Sequence, residues 1–345
     1  MTQPIILDYY PRNSCRKQDR YFVDSSVKQL DQGNLSDKCF AALALPVSFL
    51  TVHPLSRPDF PLVQAWLKPE AARFGEAPRK IPGSLRNGYS MNGIISIREF
   101  YFDNAYLGGS ALTSVWSLDT INDLRARVRA RQTYFNYDSS FVYQALDAHG
   151  KKAVSSRRGL VIGSEKPWLE VFLLEYGADH VTTLEFGAII SQHPQIRTFT
   201  PANFTAAFLQ GQIEPFDFLF TYSSIEHDGL GRYGDVLNPS GDLETMARML
   251  SVVKPGGYAF VGIPCCFDAL DWNAHRTYGH RRLAMLFAGW RVVGVFPANA
   301  LNQSRKPKLR VRQLGSVFQP VWVLQNVMGC VEQKLLGTIA GIFKE

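Results

Sequence analysis

The chain has 345 residues, 46% of them hydrophobic and 19% charged, and its 37 Lys+Arg against 30 Asp+Glu give a formal net charge of +7. That much apolar sequence can bury a large core, which excludes a chain disordered throughout, and 27 Gly and 19 Pro without a period exclude a collagen-like one. The basic balance is too dispersed for a dedicated nucleic-acid tail, and no uncharged apolar run approaches the roughly 20 residues that cross a bilayer.

Prolines at 4, 11, 46, 54, 58, 61, 69, 78 and 82 punctuate residues 1–87, which read as an irregular lead-in. Residues 88–150 read as a cap region. Short strands are expected within 86–106 and helices over 119–132, capped by Asp119 or Thr120, and 138–149, stopped by Gly150. Ile121, Leu124 and Val128 share one face of the first helix, and Arg125, Arg127, Arg129 and Arg131 fall on the others, as a solvated surface or a binding patch. From residue 157 short apolar runs alternate with helical segments, the signature of βαβ units and a parallel sheet. The expected strands are 159–163, 180–186, 195–200, 216–222, 258–263, 290–296 and 317–324, with helices over 168–177, 242–253 and 281–289 and a turn at 254–257. The last two strands would form a hairpin through the loop 297–316. Residues 151–330 thus read as one Rossmann-like domain and 331–345 as a tail. The N-terminus lacks a signal-peptide pattern. Five cysteines (Cys15, Cys39, Cys265, Cys266, Cys330), without metal-ligand spacing, fit a reducing, cytoplasmic setting. Cys265-Cys266 reads as buried small residues or a redox pair.

Glu185 follows the glycine turn at Gly163 at the distance that suits a carboxylate accepting both ribose hydroxyls of a nucleoside. Phe216-Asp217-Phe218-Leu219-Phe220-Thr221-Tyr222-Ser223-Ser224-Ile225-Glu226-His227 resembles the fourth-strand motif of class I S-adenosylmethionine-dependent methyltransferases. Lys254-Pro255-Gly256-Gly257-Tyr258 resembles their lead-in to strand five. The resemblance covers about 157–325. It implies an α/β Rossmann-like sheet of about seven strands with the last one antiparallel, and S-adenosylmethionine as cofactor. Its cofactor contacts would come from Gly163, Ser164, Glu165, Glu185, Phe186, Tyr222 and Ser223. The segments Val161–Glu170, Val181–Glu185, Ser223–Asp235 and Asn273–Gly279 resemble more closely a nematode-associated domain-of-unknown-function family, whose bacterial relatives occur in settings of surface-glycan synthesis.

The chain departs from the superfamily at its first motif. Val161 stands at the usual acid position, and Glu165 and Pro167 stand where the second and third glycines would be. Those glycines normally let backbone N–H groups approach the cofactor. Two readings follow: a reshaped pocket that still binds S-adenosylmethionine, or a non-catalytic methyltransferase-like binding module that has lost the motif.

Residues 214–245 hold seven acids (Glu214, Asp217, Glu226, Asp228, Asp235, Asp242, Glu244) against one base, Arg232, an acidic lip suited to a sulfonium. Asp228, Asp235 and Asp242 also fit turn and cap roles, the last above all. His227 is the candidate base for an acceptor hydroxyl, with Glu226 or Asp228 orienting it and His275 on the same edge. Arg232, Tyr233, Asp235, Arg276 and Tyr278 are the candidate substrate residues. A ligand set of His227, Asp228, Asp235, His275 and His280 lacks a diagnostic spacing, so no metal is expected. Arg305, Lys306, Lys308, Arg310 and Arg312 form a basic loop without interleaved aromatics, which argues against nucleic acid. The expected activity is methyl transfer to a hydroxyl of a small-molecule or glycan-type substrate.

Overall fold

The computed structural model describes residues 77–102, 113–133, 139–298, 300 and 318–327. Most of the lead-in, the basic loop 305–312 and the tail 331–345 lie outside them. In chain order the elements begin with α1 (Gly83–Tyr89), β1 (Ser96–Phe100), β2 (Ser114–Trp116), α2 (Leu118–Arg129) and α3 (Ser140–Ala153). The first half of the sheet domain follows: β3 (Arg158–Ile162), α4 (Trp168–Glu175), β4 (His180–Leu184), β5 (Ile189–Ser191), β6 (Ile196–Phe199) and α5 (Pro201–Leu209). The second half is β7 (Phe216–Tyr222), a 3-10 turn (Ile225–His227), α6 (Gly241–Val252), β8 (Val253–Gly262), β9 (Ala269–Asn273), β10 (His275–Thr277), α7 (His280–Leu286), β11 (Trp290–Phe296) and β12 (Val321–Asn326).

Seven strands make the central sheet in the order β11-β12-β8-β7-β3-β4-β6, with β12 antiparallel to both neighbours and the remaining pairs parallel. This is the class I methyltransferase strand order that the sequence motifs imply. Alternation along the strands serves two cores. Phe218 and Phe220 join Val161, Val181 and Phe260 under α2, α3 and α4. Phe216 and Leu219 join Leu160, Ile162 and Val261 on the face of α5, α6 and α7. Both faces are therefore covered, which explains why the strands read as continuous apolar runs.

Differences from expectation have local causes. Ser117, one step upstream of the expected cap, accepts from Thr120 N and opens α2. Helix α3 runs through Gly150, whose Cα lies under the Tyr176 ring. The expected turn at 254–257 lies inside β8, which starts at Val253. Arg125 and Arg129 are not a free patch: both reach Glu175 on α4, and Arg131 pairs with Asp147 while lying over the Tyr143 ring. A three-stranded sheet, β1-β9-β10, was not expected, because β9 and β10 carry polar residues without clean alternation. It encloses a small core of Ile81, Tyr89, Leu230, Leu270 and Trp272.

Gly159 sits mid-strand under the Phe218 ring, and a Cβ built there would fall inside that ring. Gly159→Ala should lower stability by about 1–3 kcal/mol through overpacking. Gly83→Ala, with open space around it, should stay within about 0.5 kcal/mol of wild type when both variants are unfolded by denaturant titration.

Candidate functional site

The order of strands reverses beside β3, which pairs with β4 on one side and β7 on the other. Ligands of open α/β sheets bind outside the carboxyl ends of the strands at such a point. Register fixes what meets there. Ile162 pairs with Leu184 and with Thr221, and Tyr222 pairs with Gly262, so Gly163, Glu185 and the pair Tyr222-Ser223 stand as one row at the ends of β3, β4 and β7. The cofactor candidates drawn from separate motifs are thus brought together. Ser223 takes a φ of +51°, a left-handed conformation that a non-glycine residue adopts at a cost.

The loop after β7 is built around backbone groups. Asp235 accepts from Gly229 N at 2.7 Å and from Gly231 N at 3.2 Å, while the Tyr89 hydroxyl donates to Gly229 O at 2.5 Å. Arg276 then ties the loop down. Its guanidinium donates to Glu226 O, Asp228 O, Asn238 O and Pro239 O at 2.6–3.3 Å. Beneath it, the fully buried Asp242 accepts from Arg282 at 2.5 and 2.8 Å and from the Tyr278 hydroxyl at 3.0 Å, with Arg276 Nε 3.5 Å away. Burial alone would raise this carboxyl, but Arg276 and Arg282 hold it below its ordinary value. Three expectations are corrected here. Asp242 is not a helix cap but the centre of a buried ion network. Arg276 spends its donors on carbonyls rather than on a substrate anion. Tyr278 is fully buried on Asp242 rather than facing a substrate.

Glu226 and His227 lie on the 3-10 turn and are both buried. His227 Nδ1 is 2.6 Å from Ala274 O, so it carries the proton and donates, which leaves the lone pair on Nε2. Arg232 donates to the same carbonyl at 2.8 Å, so its 3.2 Å approach to Nδ1 is a contact of two donors sharing one acceptor. Burial, then Arg232, hold the imidazole well below its ordinary value, so it is neutral. Nε2 stands 3.7 Å from Glu226 Oε1. Gln319, just ahead of β12, donates to that same oxygen and to Ser223 Oγ, each at 3.1 Å. Glu226 Oε2 is buried without a partner, and burial pushes this carboxyl up to about 7. Gln319 was not expected, since 93 residues separate it from Glu226 and nothing local marks it. Asp228 turns away from His227 and accepts from Thr245 at 2.7 Å. His275, whose ring centroid lies 6.5 Å from that of His227, is 3.5 Å from Asp271, itself bound by Arg98. The Tyr233 ring packs edge-on to His227, and Arg232 lies over both Tyr233 and Phe102. Among the described residues, no three His, Cys, Asp or Glu side chains group to hold a metal ion, and no helix is long and apolar enough to cross a membrane.

On the other side of the row, Glu185 is buried and accepts from Phe186 N at 2.6 Å. Burial pushes it up to about 7, and Glu165 adds repulsion. Phe186 is exposed beside it. A carboxyl at a strand end with an open aromatic next to it fits the ribose and base of a nucleoside. The amino-acid end fits less well. The side chain of Ser224 lies against the Cα of Gly163, leaving no room even for a Cβ. The Ser164 hydroxyl, expected to face a cofactor, is buried on Lys166 O and Glu170. The acidic lip is also corrected: Asp217 sits at the opposite strand end on Lys254 and Arg157, Asp228 is bound by Thr245, Asp235 is spent on loop amides, and Asp242 is spent on Arg282 beneath the loop.

Removing Asp242 leaves two arginines and a tyrosine buried without their acceptor, so Asp242→Ala should cost about 3–5 kcal/mol in a denaturant titration. Folding lowers this carboxyl, so its contribution is complete above the unfolded value of 3.8 and drains away as pH falls through the lower folded value.

No curated protein matches the chain. Among solved structures it is similar to a Streptococcus thermophilus chain that carries the name hemolysin, at 13% identity over 57% of this chain and 68% of that one (TM-score 0.36). It is also similar to the Burkholderia thailandensis 1,6-didemethyltoxoflavin-N1-methyltransferase, held there with 1,6-didemethyltoxoflavin and S-adenosylhomocysteine, at 13% identity over 60% and 87% (TM-score 0.37). A third is the N-methyltransferase NodS from Bradyrhizobium japonicum WM9, with S-adenosylhomocysteine, at 12% identity over 60% and 97% (TM-score 0.34). Residues 156–325 match the family described as "Caenorhabditis protein of unknown function, DUF268", and the strand order makes this a class I methyltransferase-like domain related to that family.

Proposed function

We propose that the domain is a methyltransferase that takes S-adenosylmethionine at the ends of β3, β4 and β7 and acts on an acceptor hydroxyl brought to His227. The observation that carries this reading is the fixed tautomer of His227. Its Nδ1 proton is committed to Ala274 O, burial keeps the ring neutral, and the lone pair on Nε2 is left for an incoming proton. Glu226, 3.7 Å from Nε2 and steadied by Gln319, would stabilise the imidazolium as it forms. Glu185 would accept the ribose hydroxyls and Phe186 would offer its ring to the base. The cofactor supplies an electrophilic methyl group on a sulfonium. The residues then have only to align acceptor and donor and take one proton. The sugar or glycan character of the acceptor rests on the family resemblance alone.

A second reading, a binding module without turnover, is favoured by one contact, the packing of Ser224 against Gly163 where a glycine cradle would lie open. Calorimetric titration with S-adenosylmethionine and S-adenosylhomocysteine separates the outcomes. Binding is expected, and Glu185→Ala should weaken it about 10–150-fold, the worth of hydrogen bonds to a charged group. Absence of heat at millimolar ligand would sink the cofactor assignment. In a protein that binds, His227→Ala should keep affinity and lose methyl transfer to added hydroxyl acceptors; unchanged transfer would remove His227 as the base.

A further inference from the structure

A carboxyl group that the mechanism above does not use holds the turn between β3 and α4. Glu170, in the first turn of α4, is fully buried. Its Oε2 lies 2.9 Å from Ser164 Oγ and its Oε1 lies 2.7 Å from Thr183 Oγ1. Ser164 Oγ is also 2.7 Å from the carbonyl oxygen of Lys166. The protons of this cluster can be counted. A serine hydroxyl has one proton, and a carbonyl oxygen can only accept. The Ser164 proton therefore goes to Lys166 O. The Thr183 proton goes to Glu170 Oε1. The contact between Ser164 Oγ and Glu170 Oε2 is then left without a proton unless the carboxyl brings its own. A carboxylate in that place would set its charge against a serine lone pair where both side chains are buried.

We propose that Glu170 is a neutral carboxylic acid in the folded protein and that, as proton donor to Ser164, it is the positioning residue that fixes the turn 163–167.

The electrostatic surroundings agree. A helix N-terminus favours the ionised form, yet burial outweighs it and pushes the Glu170 carboxyl up to about 7. Glu185, at the end of β4, adds repulsion. Glu165 and Lys166 lie exposed on the turn itself, and Arg125 and Arg129 of α2 are directed at Glu175, at the far end of α4. The neighbouring strand β3 presents only apolar side chains beyond Arg158. On ionisation, Glu170 turns from donor to acceptor, the single Ser164 proton is contested, and the turn loses its anchor. The inference does not depend on which ligand the domain takes.

Infrared titration of the full chain, wild type against Glu170→Gln, tests it without ligand. Glu185 and Glu226 are also pushed up to about 7, so the difference between the two proteins isolates one group. The expected difference is one protonated-carboxyl band present near pH 6 and lost as pH rises through about 7. The glutamine amide can donate to Ser164 and accept from Thr183, so Glu170→Gln should keep the wild-type unfolding temperature at low pH. Folding raises the carboxyl, so its stabilisation is complete below the unfolded value of 4.5 and fades as pH rises through about 7. Wild type should therefore lose more stability than Glu170→Gln between about pH 5 and pH 8. Glu170→Ala should be less stable than both throughout. No protonated band in the difference spectrum, or a Glu170→Gln protein as damaged as Glu170→Ala, would overturn the proposal. If Glu170→Ala does not fold, the infrared comparison decides alone. Failure to bind S-adenosylmethionine leaves these outcomes unchanged.

Discussion

One buried carboxylate organises the candidate site. Asp242 has no exposed surface, and it accepts from Arg282 and Tyr278 with Arg276 alongside. Isolated, it could not stay charged there; paired, it keeps two arginines in place. Arg276 passes that order upward by donating to four carbonyls of the loop 226–239. The loop in turn carries Glu226 and His227 on a single 3-10 turn. Placement of the histidine is thus decided by an ion network that touches neither of its ring nitrogens.

The charge distribution acquires a different meaning in the folded chain. The acid-rich stretch 214–245 looks like an exposed lip, but Asp217 lies at the far end of the sheet, Asp235 is spent on loop amides, Asp228 on Thr245 and Asp242 on Arg282. What lies around the site instead is a set of buried carboxyls (Glu170, Glu185 and Glu226) that burial pushes up to about 7. Groups poised near neutrality are the ones that a modest change in surroundings or pH switches between donor and acceptor. Much of the basic excess on α2 is neutralised by Glu175 and Asp147.

The sheet was legible because its strands are buried on both faces, so that Leu160, Val161 and Ile162, or Phe218, Leu219 and Phe220, stand out as unbroken apolar runs. The runs marked the strands but not their register, which the structure supplies in setting Gly163, Glu185, Tyr222 and Ser223 in one row. The site was half legible. Glu226 and His227 could be picked from a motif and their chemistry. The burial of Asp242 could not, because its partners lie 36 and 40 residues away in sequence and nothing local links them to it. Gln319 and Glu170 were invisible for a related reason: a glutamine before a strand and a glutamate in a helix are unremarkable until folding removes their water. Ser164 was misread because sequence spacing places a residue at a turn but does not say which way its hydroxyl points.

The position of β12 has a consequence for how the chain is made. This strand lies between β8 and β11, both synthesised earlier, and is antiparallel to each. Until residues 321–326 leave the ribosome, β8 and β11 each expose an unpaired ladder of backbone donors and acceptors. Val261 and Trp290 sit on those open edges, and both are fully buried in the finished fold. Such edges are templates for pairing with another chain. The nascent domain therefore passes through a stage at which its β8 half is complete in sequence yet open along one side, and a single six-residue strand closes it.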